Sequence, residues 1–158
     1  MVEMLGESWI YDHTVDELRN LWRNEAHFSR NKLDKASFQQ AGLYDKWYQA
    51  LEDAEDDLAE AKLKEGRVRS KAELGIRNKY PNYKEGAIKA KVNINKKVIK
   101  AEGVVRKYEK YVRALKGAVA MFNMRKSMIQ TLKDLYISNY WSKTSPSGTP
   151  LYERRNTK

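Results

Sequence analysis

Glu52, Asp56 and Glu60 stand at i, i+4 and i+8, a spacing that lines three carboxylates along one face of a helix. Such a row could do acid–base chemistry or help hold a divalent ion. Its neighbours are further acids and alanines, however, and the row reads as a solvated acidic face. His13 and His27 are the only histidines, and neither has ligand spacing to a second one. Capping or surface roles suit them. The chain has no cysteine, so it offers no thiol nucleophile, disulfide or thiolate metal site. There is no Gly-rich phosphate loop and no Ser-His-Asp signature. Met121, Met124 and Met128 recur at spacings of three and four beside Phe122, as packing residues do. No catalytic residue, metal ligand or cofactor is assigned, and the chain is read as non-enzymatic.

The chemistry that does stand out is cationic. Lys62, Lys64, Arg67, Arg69, Lys71, Arg77 and Lys79 precede Pro81, and Lys84, Lys89, Lys91, Lys96 and Lys97 follow it. Glu65, Glu73 and Glu85 are the only acids between residues 62 and 100. Tyr80 and Tyr83 lie inside this run. Lys and Arg neutralise phosphates, and exposed tyrosine rings offer stacking faces for unpaired bases. These twelve cations and two tyrosines form a candidate single-strand DNA site. The competing reading is an ordinary solvated face on a long helix. The meeting of two basic runs at one break favours a binding surface.

Charge is divided along the chain in the same sense. Residues 1–61 carry 14 Asp and Glu against 6 Lys and Arg, and the remainder carries 7 against 25. The net charge of +10 favours a polyanionic partner. The sign changes within "EDDLAEAKLKEGRVRSK", residues 55–71, with no turn residue except one glycine. No apolar run approaches the roughly 20 residues needed to cross a bilayer, and no signal-peptide pattern opens the sequence. A soluble, intracellular protein without a membrane partner is expected.

Long helices must position these groups. Thr14 and Glu17 form a capping-box pattern, which predicts a short helix over about 15–24. From Asp34, a plausible N-cap, Leu43, Trp47, Ala50, Ala54, Leu58, Ala61, Val68, Ala72 and Ile76 step by threes and fours with one gap at Glu65. A helix over about 35–78 would be roughly 65 Å long. Pro81 ends it. A short helix over 84–92 and a joint capped by Asn93 or Asn95 follow. Val98, Ala101, Val105, Tyr108, Val112, Leu115, Val119, Phe122, Ile129, Leu132 and Tyr136 then mark a second long helix, about 96–140, skipping Lys126.

The fold class is therefore all-α, a long antiparallel helical hairpin with a short N-terminal helix and a short helix after the Pro81 break. Three parts are distinguished: an acidic N-terminal segment 1–33, a hairpin core 34–141 for DNA binding and oligomerisation, and a flexible basic tail 142–158. A lone hairpin has little interior. Leu43, Trp47, Leu58, Val112, Leu115, Val119, Phe122 and Ile129 are accordingly expected at the interface of a homo-oligomer.

The order of the pieces resembles the UvsY-like recombination mediators of tailed phages. The resemblance is carried by "LYDKW" (43–47), "KAEL" (71–74), the Tyr/Pro break, "EGAIKAKVNINKKVIKAEGVV" (85–105) and "RALKGAVAMFNMRKSMIQTL" (113–132). It covers about residues 36–141, and its specificity lies in order and spacing. It implies a non-catalytic ring-like homo-oligomer, of about six to eight subunits, in the cytoplasm of the infected bacterial host. Such a ring binds single-stranded DNA and helps a RecA-type recombinase load where a single-strand-binding protein already sits. Lys71 is the best individual match to the family's basic surface, and Glu73 departs from it. A structural coiled-coil protein of phage assembly, whose positive end is incidental, is the alternative.

Overall fold

The computed structural model describes residues 9–29 and 32–143, with side chains described as far as Ser138. A 3-10 turn at Trp9–Asp12 leads into α1 (Val15–Ala26), α2 (Leu33–Lys79), α3 (Glu85–Asn93) and α4 (Lys96–Lys143). No strand occurs among the described residues. Of the tail, residues 144–158 lie outside the described residues, while 142 and 143 still belong to α4.

The capping box is formed. Thr14 Oγ1 accepts from the Glu17 N–H at 3.2 Å, and the Thr14 N–H donates to Glu17 Oε2 at 2.6 Å. That bond from the Thr14 backbone holds the Glu17 carboxyl below its ordinary range. Asp34 does not cap α2. The helix starts two residues earlier, with Lys32 at the cap and no side-chain capping bond, and Asp34 takes a first-turn position that suits its charge. Asn95 does cap α4, accepting from the Lys97 N–H at 2.9 Å.

The two long helices run antiparallel. Trp47, Ala50, Leu51 and Ala54 of α2 pack against Tyr111, Val112, Leu115, Ala118 and Phe122 of α4. The alanines let the helices approach closely, and Trp47 stacks on Phe122 at 6.3 Å. Three ion pairs cross the seam: Glu55–Lys116 at 2.8 Å, Lys62–Glu109 at 3.9 Å and Arg69–Glu102 at 2.5 Å. Both sides step by seven residues in opposite directions, which is the register of an antiparallel heptad seam.

The N-terminal segment is not a separate unit in its packing. Ile10, Leu18 and Trp22 enter the same core, and Trp9 meets Trp47 edge to face at 5.5 Å. Tyr11 donates to Asp57 at 2.5 Å, and Tyr111 donates to the His13 carbonyl at 2.9 Å. This cover supplies the interior that two helices lack. Trp47, Phe122, Ile10, Leu18 and Leu115 are each completely buried. Each contributes about 1.5–3 kcal/mol relative to exposure.

The residues expected between copies are packed within the single chain. Trp47, Val112, Leu115, Phe122 and Ile129 are buried within one chain, and Leu43, Leu58 and Val119 pack half-buried against the same cluster. In this fold the five buried side chains, at most 7% exposed, have little area to offer a second copy. The apolar residues left outside are different ones, among them Met121, Met124, Met128 and Leu135 along α4.

Lys126, skipped in the periodic pattern, is also skipped in the structure. Arg125 fills the seam position between Phe122 and Ile129, and it is only 3% exposed. Its guanidinium donates to the carbonyls of Ala26 and Ala36, both at 3.2 Å, and to Gln40 Oε1. Gln40 in turn donates to the Phe122 carbonyl at 2.7 Å. Burial pushes the guanidinium below its usual range.

Candidate nucleic-acid interface

The hinge end is built around one turn. The Tyr80 N–H still donates to Ile76, closing α2, while Pro81 has no N–H with which to continue the helix. The Tyr83 N–H donates to the Tyr80 carbonyl at 3.1 Å. That bond defines a four-residue turn with Pro at its second position and Asn at its third, where both are favoured. The turn brings the two rings together. Their centroids are 4.7 Å apart with planes 7° from parallel. α3 then runs back along α2, burying Ile88 and Val92 with Val98 against Val68, Ala72 and Ile76.

The same fold-back gathers the cations, and it divides them into two groups. Arg69 is tied to Glu65 at 2.8 Å, to Glu102 at 2.5 Å and to Asn93 at 3.0 Å, so one guanidinium joins α2, α3 and α4. Arg77 holds Glu73 at 2.8 Å and Glu85 at 3.1 Å. The hydrogen bond to Glu65 chiefly raises the Arg69 pKa, and the bond to Glu73 that of Arg77. Lys64 pairs with Glu60 at 2.8 Å, and Lys62 lies 3.9 Å from Glu109. These four predicted contacts are therefore engaged in the hairpin's own ion pairs.

The second group is Arg67, Lys71, Lys79, Lys84, Lys89, Lys91, Lys96 and Lys97, none of which is ion-paired among the described residues. Lys91 instead lies over the tyrosines, with its ammonium 3.9 Å from the Tyr80 centroid and 4.8 Å from that of Tyr83. Lys79 approaches Tyr80 at 5.6 Å. Lys96 and Lys97 occupy the first turn of α4, which contains no acid. Lysines there face the positive end of the helix dipole and raise its potential, an arrangement that an anion relieves. Lys100 shares this face at i, i+4 from Lys96 and belongs with the group. It is part of the same basic run after Pro81 in the sequence. Glu102, the counter-ion that withdraws Arg69, had no such sequence signal, because it is 33 residues away in the chain.

Elsewhere the chemistry is plain. Glu60 of the carboxylate row pairs with Lys64, and Glu52 lies beside Tyr48, whose phenol it pushes up by its charge. Among the described residues, no three His, Asp or Glu side chains gather so as to hold a metal ion. No helix of the described residues is long and apolar enough to cross a membrane. What the hinge end can do is bind phosphate through exposed ammonium groups and present a ring face beside them. No family model matches this chain, and none of the curated proteins or solved structures compared with it matches either.

Proposed function

We propose that this chain is a non-catalytic, single-stranded-DNA-binding recombination mediator. It acts as a homo-oligomer and helps a RecA-type recombinase load onto DNA covered by single-strand-binding protein. The observation that carries the binding half is the cluster of uncompensated lysines around the Tyr80–Tyr83 turn. Lys79 and Lys84 flank the turn, Lys89 lies on the α3 helix that runs back from it, Lys96 and Lys97 open α4, and all five are exposed. The partner classes, the ring and the host-cell setting rest on the resemblance of residues 36–141 to UvsY-like mediators.

The test is direct. Anisotropy with a poly-dT strand and with a duplex of equal length, each over a salt series, should show preference for the single strand. The affinity should fall steeply with salt, with a slope of roughly −0.7 per phosphate neutralised. Equal or stronger duplex binding would end the reading.

A second reading, a coiled-coil assembly protein, draws on one observation. Met121, Met124, Met128 and Leu135 form an exposed apolar row on α4 at heptad-compatible spacing. A scaffold would self-assemble through such a row with no preference between DNA forms.

A further inference from the structure

The stacked tyrosines raise a question that the phosphate contacts do not answer. A lysine cluster alone attracts any polyanion, double-stranded DNA included. Two tyrosines could serve as two separate platforms. Here they do not, because at 4.7 Å and 7° each ring covers one face of the other.

The position of Lys91 decides which faces remain. The three centres, two rings and one ammonium, are separated by 4.7, 3.9 and 4.8 Å. That triangle is nearly equilateral, so the ammonium sits beside the stack and not on its outer end. Neither Tyr80 nor Lys91 lies over the outer face of Tyr83, and Tyr83 is 39% exposed while Tyr80 is half-buried. The stacked arrangement is in place before any ligand arrives. Pro81 presets the turn, the Tyr83 N–H bond closes it, and Ile88 and Val92 anchor the helix that carries Lys91. Pre-organisation of this kind lowers the entropy cost of binding.

We propose that Tyr83, backed by Tyr80 and flanked by Lys91, is a subsite for one unpaired nucleobase per chain. It rests on the DNA-binding reading above and adds the element that separates single strands from duplexes. A base within a duplex has both faces covered by its neighbours and cannot lie on Tyr83 without unstacking. An unpaired base can, and Lys79 and Lys84 on either side of the turn then meet the phosphates that flank it. Lys91 is a positioning residue. Its charge beside both rings holds them in place, and it contributes to phosphate attraction as well.

The experiment compares three strands of one length on the full chain: poly-dT, an abasic deoxyribose-phosphate strand, and duplex. Affinities are measured by anisotropy over a salt series. Poly-dT should bind on the order of tenfold more tightly than the abasic strand, with the same salt slope. Tyr83→Ala should erase that difference and leave the slope and the helical circular dichroism unchanged. Tyr83→Phe should keep the difference, since the ring face is retained. Lys91→Gln should shrink it and flatten the slope by roughly 0.7, and Lys91→Arg should restore both. If the wild-type chain binds poly-dT and abasic strands equally with a steep slope, the subsite is refuted while the phosphate surface stands. If Tyr83→Phe loses as much as Tyr83→Ala, a hydroxyl contact and not stacking is responsible. If no strand binds, the subsite and the DNA reading fall together.

Discussion

Arg125 is the residue whose replacement most sharply tests this packing. It is a buried cation with no carboxylate partner among the described residues, held by two backbone carbonyls and Gln40 and lying 5.2 Å from the Phe28 ring. Replacing it with Met removes a charge that is costly to bury, but strands its acceptors. The Ala36 carbonyl keeps its helical partner within α2. The Ala26 carbonyl ends α1 and Gln40 Oε1 faces the core, so these two are left unsatisfied. An orphaned buried acceptor costs about 1–3 kcal/mol, which gives about 2–6 kcal/mol for two. Removing the buried charge returns about 1–4 kcal/mol. Taking the middle of each range, the net expectation is a loss of about 1.5 kcal/mol, or about 3–6 °C in melting temperature for a chain of this size. Arg125→Lys should be worse, because one ammonium cannot span three acceptors and remains a buried charge. Thermal melts followed by circular dichroism at one fixed protein concentration would show the order wild type, Met, Lys. A Met variant as stable as wild type, or a Lys variant equal to it, would refute the account.

Other expectations follow from the same structure. Gly66 and Gly103 lie within long helices with no heavy atom within 4 Å of where a Cβ would stand, so Gly66→Ala and Gly103→Ala should each stabilise the fold by about 1 kcal/mol; a loss in denaturant midpoint would show that the open space is needed. Tyr11, Tyr108 and Tyr111 all titrate above the ordinary tyrosine value, chiefly because burial disfavours the phenolate. Their folded pKa values are raised, so this stability is complete below the unfolded value near pH 10 and is lost as pH rises beyond it. Tyr11→Phe should soften the alkaline fall in melting temperature, and an unchanged fall would assign it to other groups. Replacing Lys89, Lys96 and Lys97 together by Gln should reduce the salt slope of DNA binding by about 2. Arg77→Gln should leave that slope unchanged, and a drop as large as one lysine's would mean that its two carboxylates release it to DNA.

The helices and the hinge were legible because their signals are local. Thr14 and Glu17 are three residues apart, Pro81 acts on its immediate neighbours, and the seam spacing repeats every turn. The observed helix ends lie within three residues of those expected. The assignment of surfaces was not legible, because it depends on contacts distant in sequence. Arg69 reads as a free cation until Glu102, 33 residues away, is brought to it, whereas the partners of Arg77, Glu73 and Glu85, are near it in the chain. Arg125 looks like a surface residue until the end of α1 and the start of α2 enclose it. Trp47, Leu115 and Phe122 were expected between copies because the pattern gives the apolar face of a long helix without naming what covers it. Ile10, Leu18 and Trp22 of the same chain do so.

The sign change along residues 55–71 has a physical explanation in the antiparallel seam. Glu55 lies before the change, and Lys62 and Arg69 lie after it. Opposite them α4 reverses the pattern, with Lys116, then Glu109 and Glu102. A slip of one heptad in one direction sets Glu55 against Glu109, and a slip in the other sets Lys62 against Lys116. Each exposed pair contributes little by itself, a fraction of a kcal/mol. Like charges facing one another cost a similar amount with the opposite sign, so a slip keeps one favourable pair (Lys62–Glu102 or Arg69–Glu109), loses the other two native pairs and adds one like-charge pair. Apolar residues repeating every three or four positions along two long helices do not distinguish such registers well, and the alternating charges do. The same device sets the composition of the hinge surface. The two ion-paired arginines of the hinge end, Arg69 and Arg77, each hold two carboxylates through a fork of nitrogens. Most of the cations left facing solvent around Tyr80 and Tyr83 are lysines, which act as point charges and can follow a flexible phosphate chain.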